Sequence, residues 1–337
     1  MRKILPIALT VLSIILLLST IALIGIQIYG NKMVENAGRV EEWNESDGTL
    51  LSDLAYAPHS LNTYDLYIPH TLNSSDTTSC LLYLHGGSWT AGDKEEGNWF
   101  SRRFAKQGCL TATMNYSLIS VENPSVCIPT MLKEITHCIT SIQQEAANRG
   151  ITLQQIALAG YSAGAHLAML YAYSMAAASP IPIPFCVSMA GPTDLSLLFS
   201  VPADTLRSIQ SALQQGTPHT SQHDVDALAF ICSGKQLTSL NHYAPAHLDS
   251  LIQQASPLSW AKQGAVPTIL AHGEHDRLVS PQHSKRLAAS LDSLGVQHIY
   301  IPYPQSDHLL AHDTASVAYL NKAITHYIKT LLSPNQR

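Results

Sequence analysis

The chain has 337 residues, of which 46% are hydrophobic, so it is long enough to bury the core of one α/β domain with an appendage. Its 19 basic and 24 acidic residues give a formal net charge of −5. This mild balance, with no long run of Lys or Arg, gives nucleic-acid binding no electrostatic support.

The first 30 residues differ from the rest of the chain. No charge lies between Lys3 and Lys32, and this stretch of about 28 residues exceeds the roughly 20 that cross a bilayer as a helix. It is also longer than the roughly 7–15 apolar residues of a cleavable signal peptide, and no Ala-x-Ala site follows it. We therefore predict a transmembrane signal anchor over residues 1–30 and a polar tether over residues 31–60. The basic N-terminus places the remainder outside the cytoplasm, at the cell surface or in the periplasm; secretion after signal cleavage is the alternative.

From residue 61 to 337, short β-rich runs alternate with longer segments of helical periodicity. Strands are predicted for residues 63–69, 79–86, 109–116, 155–162, 185–192, 267–273 and 297–304. This alternation predicts an α/β domain with a mostly parallel central sheet flanked by helices. The central strands are nearly continuous apolar runs, as burial of both sheet faces requires.

One segment interrupts the alternation. About 60 residues, from 195 to 254, separate two predicted strands, and they are polar, rich in Gln, His and Ser, with short helical pieces such as "ADTLRSIQSALQQG". Long insertions in compact domains frequently serve as lids or binding loops. We expect a lid-like insertion here that governs substrate choice.

The stretch "QIALAGYSAGAHLAMLYAY" is typical of a strand, a sharp turn and a helix. Glycines flank Ser162 where neighbouring elements leave no room for a Cβ, and the turn lifts the serine above the carboxyl edge of the sheet. The following helix directs its N–H groups and its positive dipole end to the same place. Ser162 is therefore the candidate nucleophile; a tight turn without chemistry is the alternative.

A second motif, "LYLHGGSWTAGDK", leaves another strand at His85. The adjacent Gly86 and Gly87 let backbone N–H groups approach a developing oxyanion closely. With the N–H of Ala163 they form a candidate oxyanion hole, in which one donor is typically worth about 10²–10³ in rate. A plain glycine turn is the alternative.

A serine nucleophile needs a base and an acid that orients the base, in the chain order Ser, acid, His for this kind of turn. After one late strand, "EHDRLVSPQHS" offers Glu274 and Asp276; after the last strand, "QSDHLLAH" offers His308 and His312. Asp276 is preferred because it lies deeper in its loop and precedes a helix. His308 is preferred because it follows the strand directly, whereas His312 fits the first turn of the final helix.

Other polar clusters have simpler explanations. His272, Glu274, His275 and Asp276 are spaced like metal ligands, but no H-E-x-x-H motif occurs, and no metal or organic cofactor is expected. Asp194 follows another strand, where capping the next helix explains it better than acid catalysis. The six cysteines lack Cys-x-x-Cys spacing and are expected to be small buried hydrophobes.

Together these residues resemble the α/β-hydrolase superfamily, in the esterase branch related to hormone-sensitive lipase and to bacterial feruloyl and acetyl esterases. The resemblance runs from about residue 63 to 332 and is carried, in order, by "LYIP", "HGGSWTAGDK", "NYS", "GYSAGAHLA", "GPTDL", "ASPLSW", "HGEHDRLVSPQHS" and "DH". It implies the α/β-hydrolase fold, a catalytic triad and an oxyanion hole. The residues implied are Ser162, Asp276 and His308 for the triad, and Gly86, Gly87 and Ala163 for the hole.

The sequence departs from the family pattern at two places. The family commonly has N-Y-R where this chain has Asn115-Tyr116-Ser117, so the usual arginine contact is missing. The family elbow commonly ends in two glycines, whereas Ala165 replaces the second one here. Its methyl group is expected to tighten the packing slightly.

The sequence therefore predicts a membrane-anchored serine hydrolase that cleaves small-molecule carboxylic esters through an acyl-enzyme intermediate. A peptidase related to the prolyl oligopeptidases is the nearest alternative, although those usually carry a large N-terminal propeller and only about 60 residues precede the core here. A non-catalytic cell-surface binding module of the same fold is another, although such proteins usually lack a triad member. No feature of the sequence indicates an oligomeric state.

Overall fold

One central sheet determines where every functional side chain lies. The computed structural model describes residues 42–120 and 123–332. The strands are β1 Gly48–Ala55, β2 Thr63–Pro69, β3 Thr77–Leu84, β4 Leu110–Met114, β5 Thr152–Tyr161, β6 Cys186–Met189, β7 Thr268–Gly273 and β8 His298–Tyr303. They form one eight-stranded sheet in the order β1-β2-β4-β3-β5-β6-β7-β8. β1 and β2 pair antiparallel, as do β2 and β4, and every other pair is parallel, which confirms the mostly parallel sheet.

Helices cover the sheet on both sides, as the alternating pattern predicted. They are α1 Asn98–Ala105, α2 Ile128–Asn148, α3 Ala163–Ser174, α4 Ala203–Gln214, α5 Gln222–Ser233, α6 Pro245–Gln254, α7 Pro257–Trp260, α8 Gln282–Ser293 and α9 Thr314–Leu331. Apolar residues of α1 and α9 cluster with Leu81 and Tyr83, whereas those of α2, α3 and α8 cluster with Leu82 and Leu84. Since successive side chains of a strand point to opposite faces, these clusters form the two sides of the core.

The tether predicted over residues 31–60 is wrong in its last part. Gly48–Ala55 forms β1, the edge strand, which is hydrogen-bonded to β2. A bulge interrupts its register between Leu51 and Leu54, and Asp53 within it has a φ of 56°. A half-exposed edge strand with a bulge lacks the regular alternation by which strands are identified in a sequence.

The seven predicted strands are all present; β2 has the predicted bounds, and the other six have shifted ends. The largest shifts are of three residues: β5 begins at Thr152 instead of residue 155, and β6 ends at Met189 although the apolar run continues to residue 192. Ala190 leaves the strand with a φ of 53°, and its N–H donates to the carbonyl oxygen of Ala271 on β7. The strand therefore ends at Met189, although the residues that follow it are still apolar.

The predicted insertion, residues 195–254, contains α4, α5 and α6 between β6 and β7. Leu206, Leu228 and Leu251 on these helices belong to the same apolar cluster as α2 and α3. The insertion is therefore packed into the core of the domain along one side.

The transmembrane segment predicted over residues 1–30 lies outside the described residues. The first part of the predicted tether, residues 31–41, lies outside them too. Within residues 42–120 and 123–332, no helix is both long enough and apolar enough to cross a bilayer.

A buried ion pair joins the edge of the sheet to the segment that follows β3. Lys94 Nζ lies 3.0 Å from Oδ1 of Asp65 on β2 and 3.0 Å from Oδ1 of Asp53 in the bulge of β1. The side chains of Lys94 and Asp65 are 5% and 6% exposed, whereas that of Asp53 is 73% exposed. Lys94 and Asp65 therefore form the part of the contact that solvent does not screen.

We predict that Lys94→Met lowers the free energy of unfolding by about 3–5 kcal/mol, because Asp65 is left as an uncompensated buried charge. Urea denaturation followed by circular dichroism measures the change. In the control variant, Lys94→Met with Asp65→Leu, both charges are gone and most of the loss should be recovered. A single variant as stable as the unmodified protein would contradict this account.

Candidate active site

Ser162 lies at the sharp turn between β5 and α3. Its φ of 52° and ψ of −119° fall outside the regions that L-residues adopt without strain. The N–H of Ser162 donates to the carbonyl oxygen of Met189 at 2.8 Å, which fixes the turn to β6. A Cβ on Gly164 would lie 2.2 Å from the carbonyl oxygen of Leu84, and one on Gly160 would lie 2.4 Å from the backbone of Gly164. Both flanking glycines are therefore required by close packing.

The structure brings Ser162, His308 and Asp276 together at the carboxyl edge of the sheet. His308 Nε2 lies 3.0 Å from Ser162 Oγ, and His308 Nδ1 lies 2.7 Å from Asp276 Oδ2. An ionised carboxylate only accepts hydrogen bonds, so in the neutral imidazole Nδ1 carries the proton and Nε2 faces the serine as an acceptor. This arrangement can take the proton of the serine hydroxyl.

Asp276 is held by donors on both of its oxygens. Its side chain has 0% exposure, and its Oδ1 accepts the N–H groups of Leu278 at 2.9 Å and Val279 at 2.8 Å. Burial raises the pKa of the Asp276 carboxyl, but the two imidazoles that face it, His272 and His308, and the N–H of Val279 outweigh burial. The pKa of Asp276 is therefore held well below its usual value, and the group is ionised at neutral pH.

The loop that carries His308 is fixed by contacts from two sides. The hydroxyl of Tyr161 donates to the carbonyl oxygen of His308 at 2.8 Å, and the two rings lie 5.2 Å apart. Ser306 Oγ donates to Asp313 Oδ2 at 2.6 Å and accepts the N–H of His312 at 3.0 Å. Sequence reasoning missed Tyr161, because the pattern gives no indication of which element its side chain contacts.

The loop after β3 faces the turn at Ser162. The hydroxyl of Tyr116 donates to the carbonyl oxygen of His85 at 2.9 Å, and the two rings stack with centroids 4.2 Å apart. Gly87 has a φ of 102°, and the next two residues, Ser88 and Trp89, continue with φ values of 54° and 63°. These three consecutive positive φ values turn the backbone sharply beside Ser162.

Of the three predicted oxyanion donors, Ala163 lines the cavity at Ser162, whereas Gly86 and Gly87 lie in the loop behind its lining residue Ser88. Ala163 borders the cavity beside Ser162, and so does Ser88, the residue after Gly87. Gly86 lies against Tyr161, where an added Cβ would meet the ring at 2.8 Å. Ser88 was not predicted, since a serine after two glycines has no distinguishing pattern.

Trp89 forms one wall of that cavity and is fixed from behind by a buried histidine. Its Nε1 donates to Nδ1 of His166 at 3.3 Å, and His166 Nε2 lies 2.7 Å from the carbonyl oxygen of Ala255. Burial lowers the pKa of His166 to about 4, so the ring is neutral, with its proton on Nε2. His166, in the "GAHLA" segment, therefore links Trp89 to Ala255, the residue that follows the insertion.

The two departures from the family pattern are accommodated locally. Ser117 donates its Oγ–H and its N–H to the carboxylate of Glu134 at 2.5 and 2.8 Å. Asn62 Nδ2 also donates to this buried carboxylate, at 3.1 Å. A Cβ on Gly191 would lie 2.7 Å from the Cβ of Ala165, so the extra methyl group occupies space that a glycine at position 191 leaves.

The alternative acid and base have other partners. Glu274 Oε2 lies 2.5 Å from Lys285 Nζ, and its Oε1 accepts the hydroxyl of Tyr300 at 2.9 Å. His312 precedes α9 instead of lying in its first turn, because the helix begins at Thr314. Asp276 and His308 are therefore the pair that the fold brings to Ser162.

Two further predictions concern residues outside the triad. Asp194 caps the short 3₁₀ helix Leu195–Leu197 by accepting the N–H of Ser196 at 3.1 Å, as predicted, and its carboxylate also pairs with Arg286 at 2.7 Å. All six cysteines are unpaired and buried, which confirms their role as small hydrophobes.

A cavity of about 640 Å³ lies beside Ser162. Trp89 and Ile119 line one side. The insertion contributes the apolar side chains of Leu197, Leu198, Phe199, Val201, Val225, Leu228 and Ile231. The sequence predicted an insertion near the site but not these residues, because which of them reach the serine depends on how α4 and α5 pack.

We predict that the protein loses stability as the pH falls below about 4, in part through Asp276. The folded state holds the pKa of Asp276 below its unfolded value, so the unfolded state binds more protons in this range. The stability that the carboxylate contributes is present above the unfolded pKa and is lost as the pH falls through the folded pKa. Asp276→Asn should flatten this part of the curve in urea titrations at a series of pH values.

The exposed Asp249→Asn is the matched control and should leave the curve unchanged. Equal slopes for Asp276→Asn and the unmodified protein would contradict the assignment of a depressed pKa to Asp276.

Residues 64–291 match the BD-FAE family model. Among curated relatives, the esterase LipQ of Mycobacterium tuberculosis is 25% identical over 264 residues, which are 76% of this chain and 56% of that protein. The chain spans about half the length of the curated relatives it matches.

Solved structures share the fold at low sequence identity. A truncated carbohydrate esterase from gut microbiota has a TM-score of 0.64 and 15% identity, covering 86% of this chain and 99% of that one. Esterase B from Lactobacillus rhamnosis, in an inhibited form, has a TM-score of 0.60 and 17% identity, covering 92% and 96%. The BD-FAE model matches most of the described residues, which form one sheet with helices on both faces. The chain is therefore a member of the BD-FAE family, in the esterase branch of the α/β-hydrolase superfamily.

Proposed function

We propose that this protein is a serine esterase that hydrolyses carboxylic esters through an acyl-enzyme intermediate. The observation that carries the proposal is the chain of hydrogen bonds from Ser162 Oγ to His308, 3.0 Å, and from His308 to Asp276, 2.7 Å, beside an apolar cavity. A serine so placed is activated by general-base catalysis. Membership of the family and the esterase relatives support an ester as the substrate.

The residues have distinct roles in the proposed reaction. Ser162 Oγ attacks the ester carbonyl carbon while His308 Nε2 takes its proton, and Asp276 stabilises the imidazolium that forms. The N–H groups of Ala163 and of the Gly86–Gly87 loop stabilise the negative charge on the carbonyl oxygen. His308 then protonates the departing alkoxide, which leaves as the alcohol. The same imidazole takes a proton from water as it attacks the acyl-enzyme and returns it to Ser162 Oγ as the bond to the acyl group breaks, so that the carboxylic acid is released and the serine hydroxyl is restored.

The cavity indicates the kind of ester. Its walls are mainly apolar, and burial of each methylene group contributes about 0.8 kcal/mol. We infer that an apolar acyl chain or ring of the substrate lies between Trp89 and the side chains of α5, with the insertion acting as the lid-like wall of the site.

We also propose that residues 1–30 anchor the protein in a membrane with its catalytic domain on the extracytoplasmic side. The uncharged stretch between Lys3 and Lys32 supports the anchor, and the basic N-terminus supports the orientation.

We predict that Ser162→Ala lowers kcat for p-nitrophenyl butyrate by about 10⁴-fold or more while leaving the thermal midpoint of unfolding unchanged. A fluorophosphonate should label the unmodified protein at Ser162 and should leave Ser162→Ala unlabelled. Following the label through separated membrane and soluble fractions of the expressing cell tests the anchor in the same experiment.

The outcome also separates the alternative functions. A non-catalytic binding module would not react with the fluorophosphonate. A peptidase would label, but would cleave proline-linked amides faster than esters. An unchanged kcat in Ser162→Ala would reject the proposed nucleophile.

We predict that Ile231→Trp selectively impairs long acyl chains, because the larger side chain fills part of the cavity that Ile231 lines. The ratio of kcat/KM for p-nitrophenyl octanoate to that for the acetate should fall by about tenfold or more, equivalent to excluding about two methylene groups. Ile231→Leu, which preserves side-chain volume, is the control and should keep the ratio. An equal effect of Ile231→Trp on both esters would place the acyl chain elsewhere.

A further inference from the structure

A second histidine contacts Asp276 from the side opposite His308. His272 lies near the end of β7 and has 0% side-chain exposure. Its Nε2 lies 2.8 Å from the carbonyl oxygen of Val279 and 3.2 Å from Oδ2 of Asp276, and its Nδ1 lies 2.7 Å from Ser284 Oγ on α8. Every polar atom of this ring therefore faces a partner.

These partners determine the position of the ring proton. The carbonyl oxygen of Val279 only accepts hydrogen bonds, so Nε2 of His272 carries the proton. Nδ1 then accepts the hydroxyl proton of Ser284. The single Nε2–H lies between two acceptors, the carbonyl of Val279 and the carboxylate of Asp276. The neutral tautomer satisfies the hydrogen bonds to Val279 and Ser284 and leaves the Nε2–H beside Oδ2 of Asp276, which lies 3.2 Å from the nitrogen.

His272 contacts Oδ2 of Asp276, the same oxygen that accepts the hydrogen bond from His308. Oδ1 of Asp276 is occupied by the N–H groups of Leu278 and Val279, whereas Oδ2 accepts Nδ1 of His308 at 2.7 Å and faces Nε2 of His272. A rotation of the carboxylate that lengthened the bond to His308 would also break the contact with His272. Through the carboxylate of Asp276, His272 therefore restrains the position of the His308 ring.

We propose that His272 is a positioning residue of the site, whose Nε2–H fixes Oδ2 of Asp276 where it accepts the Nδ1–H of His308. The inference rests on the proposed esterase function. His272 touches neither the cavity nor Ser162, so it acts on the reaction through Asp276 alone.

The test compares His272→Phe with His272→Gln in the purified full chain, using p-nitrophenyl butyrate. Phenylalanine fills the space but donates nothing, and kcat should fall by about 10–100-fold, as is typical for loss of a buried partner behind a functional histidine. KM should stay within about twofold, because the cavity is unaltered. Glutamine offers an amide N–H toward Val279 and Asp276, and it should restore most of kcat.

His283→Phe is the matched control. His283 is also fully buried, but its Nδ1 accepts the N–H groups of Thr193 and Asp194. This variant should lose thermal stability as His272→Phe does while keeping kcat.

Equal kcat values for His272→Phe and His283→Phe, or a glutamine variant no better than phenylalanine, would overturn the positioning role and leave His272 as a packing residue. Failure of the proposed function is a separate result. In that case the unmodified protein itself neither turns over ester nor reacts with a fluorophosphonate.

Discussion

A charge that is removed from water must be surrounded by hydrogen-bond donors, and the carboxylate of Asp276 imposes this requirement on the site. Two backbone N–H groups hold one of its oxygens, and two imidazoles face the other. Each donor arranges a different part of the chain. Leu278 and Val279 shape the loop after β7, His272 connects that loop to α8, and His308 draws the loop after β8 toward Ser162. The position of His308, the proposed base, thus follows from satisfying one buried anion.

Ser162, the proposed nucleophile, is held by a different kind of constraint. Ser162 has a backbone conformation that would relax in an isolated peptide, and it persists because neighbouring backbone leaves it no alternative. Gly164 lies directly against the end of β3, and the N–H of Ser162 is bonded to the end of β6. The two strands that flank β5 therefore set the serine's direction, while β7 and β8 supply its partners. Parallel strands make this convergence possible, since their carboxyl ends meet at one edge.

Sequence periodicity was sufficient for the interior of the sheet, because strands buried on both faces are continuous apolar runs. It failed for Gly48–Ala55, where the bulge at Asp53 and exposure of one face remove the pattern. The proximity of Ser162, Asp276 and His308 was predictable because a strained turn between glycines restricts the chain order of its partners. The contacts of Tyr161 and His272 were not predictable, although both residues lie within recognised motifs, because these contacts are made with other loops and helices. The side chains of the cavity depend on how the insertion packs, which the polar composition of residues 195–254 does not encode.

The packing of that insertion has a consequence for how substrate reaches the serine. Leu228, Ala229 and Cys232 on α5 are buried in the common core, so swinging this helix outward would expose them to water. Full exposure costs about 1.5–3 kcal/mol for a leucine-sized side chain alone. A hinged flap is therefore a costly way to open the cavity. Residues 198–201 border the cavity outside any helix, and the 45%-exposed Leu197 ends the short 3₁₀ helix before them, so this segment can move while α4, α5 and α6 stay in place.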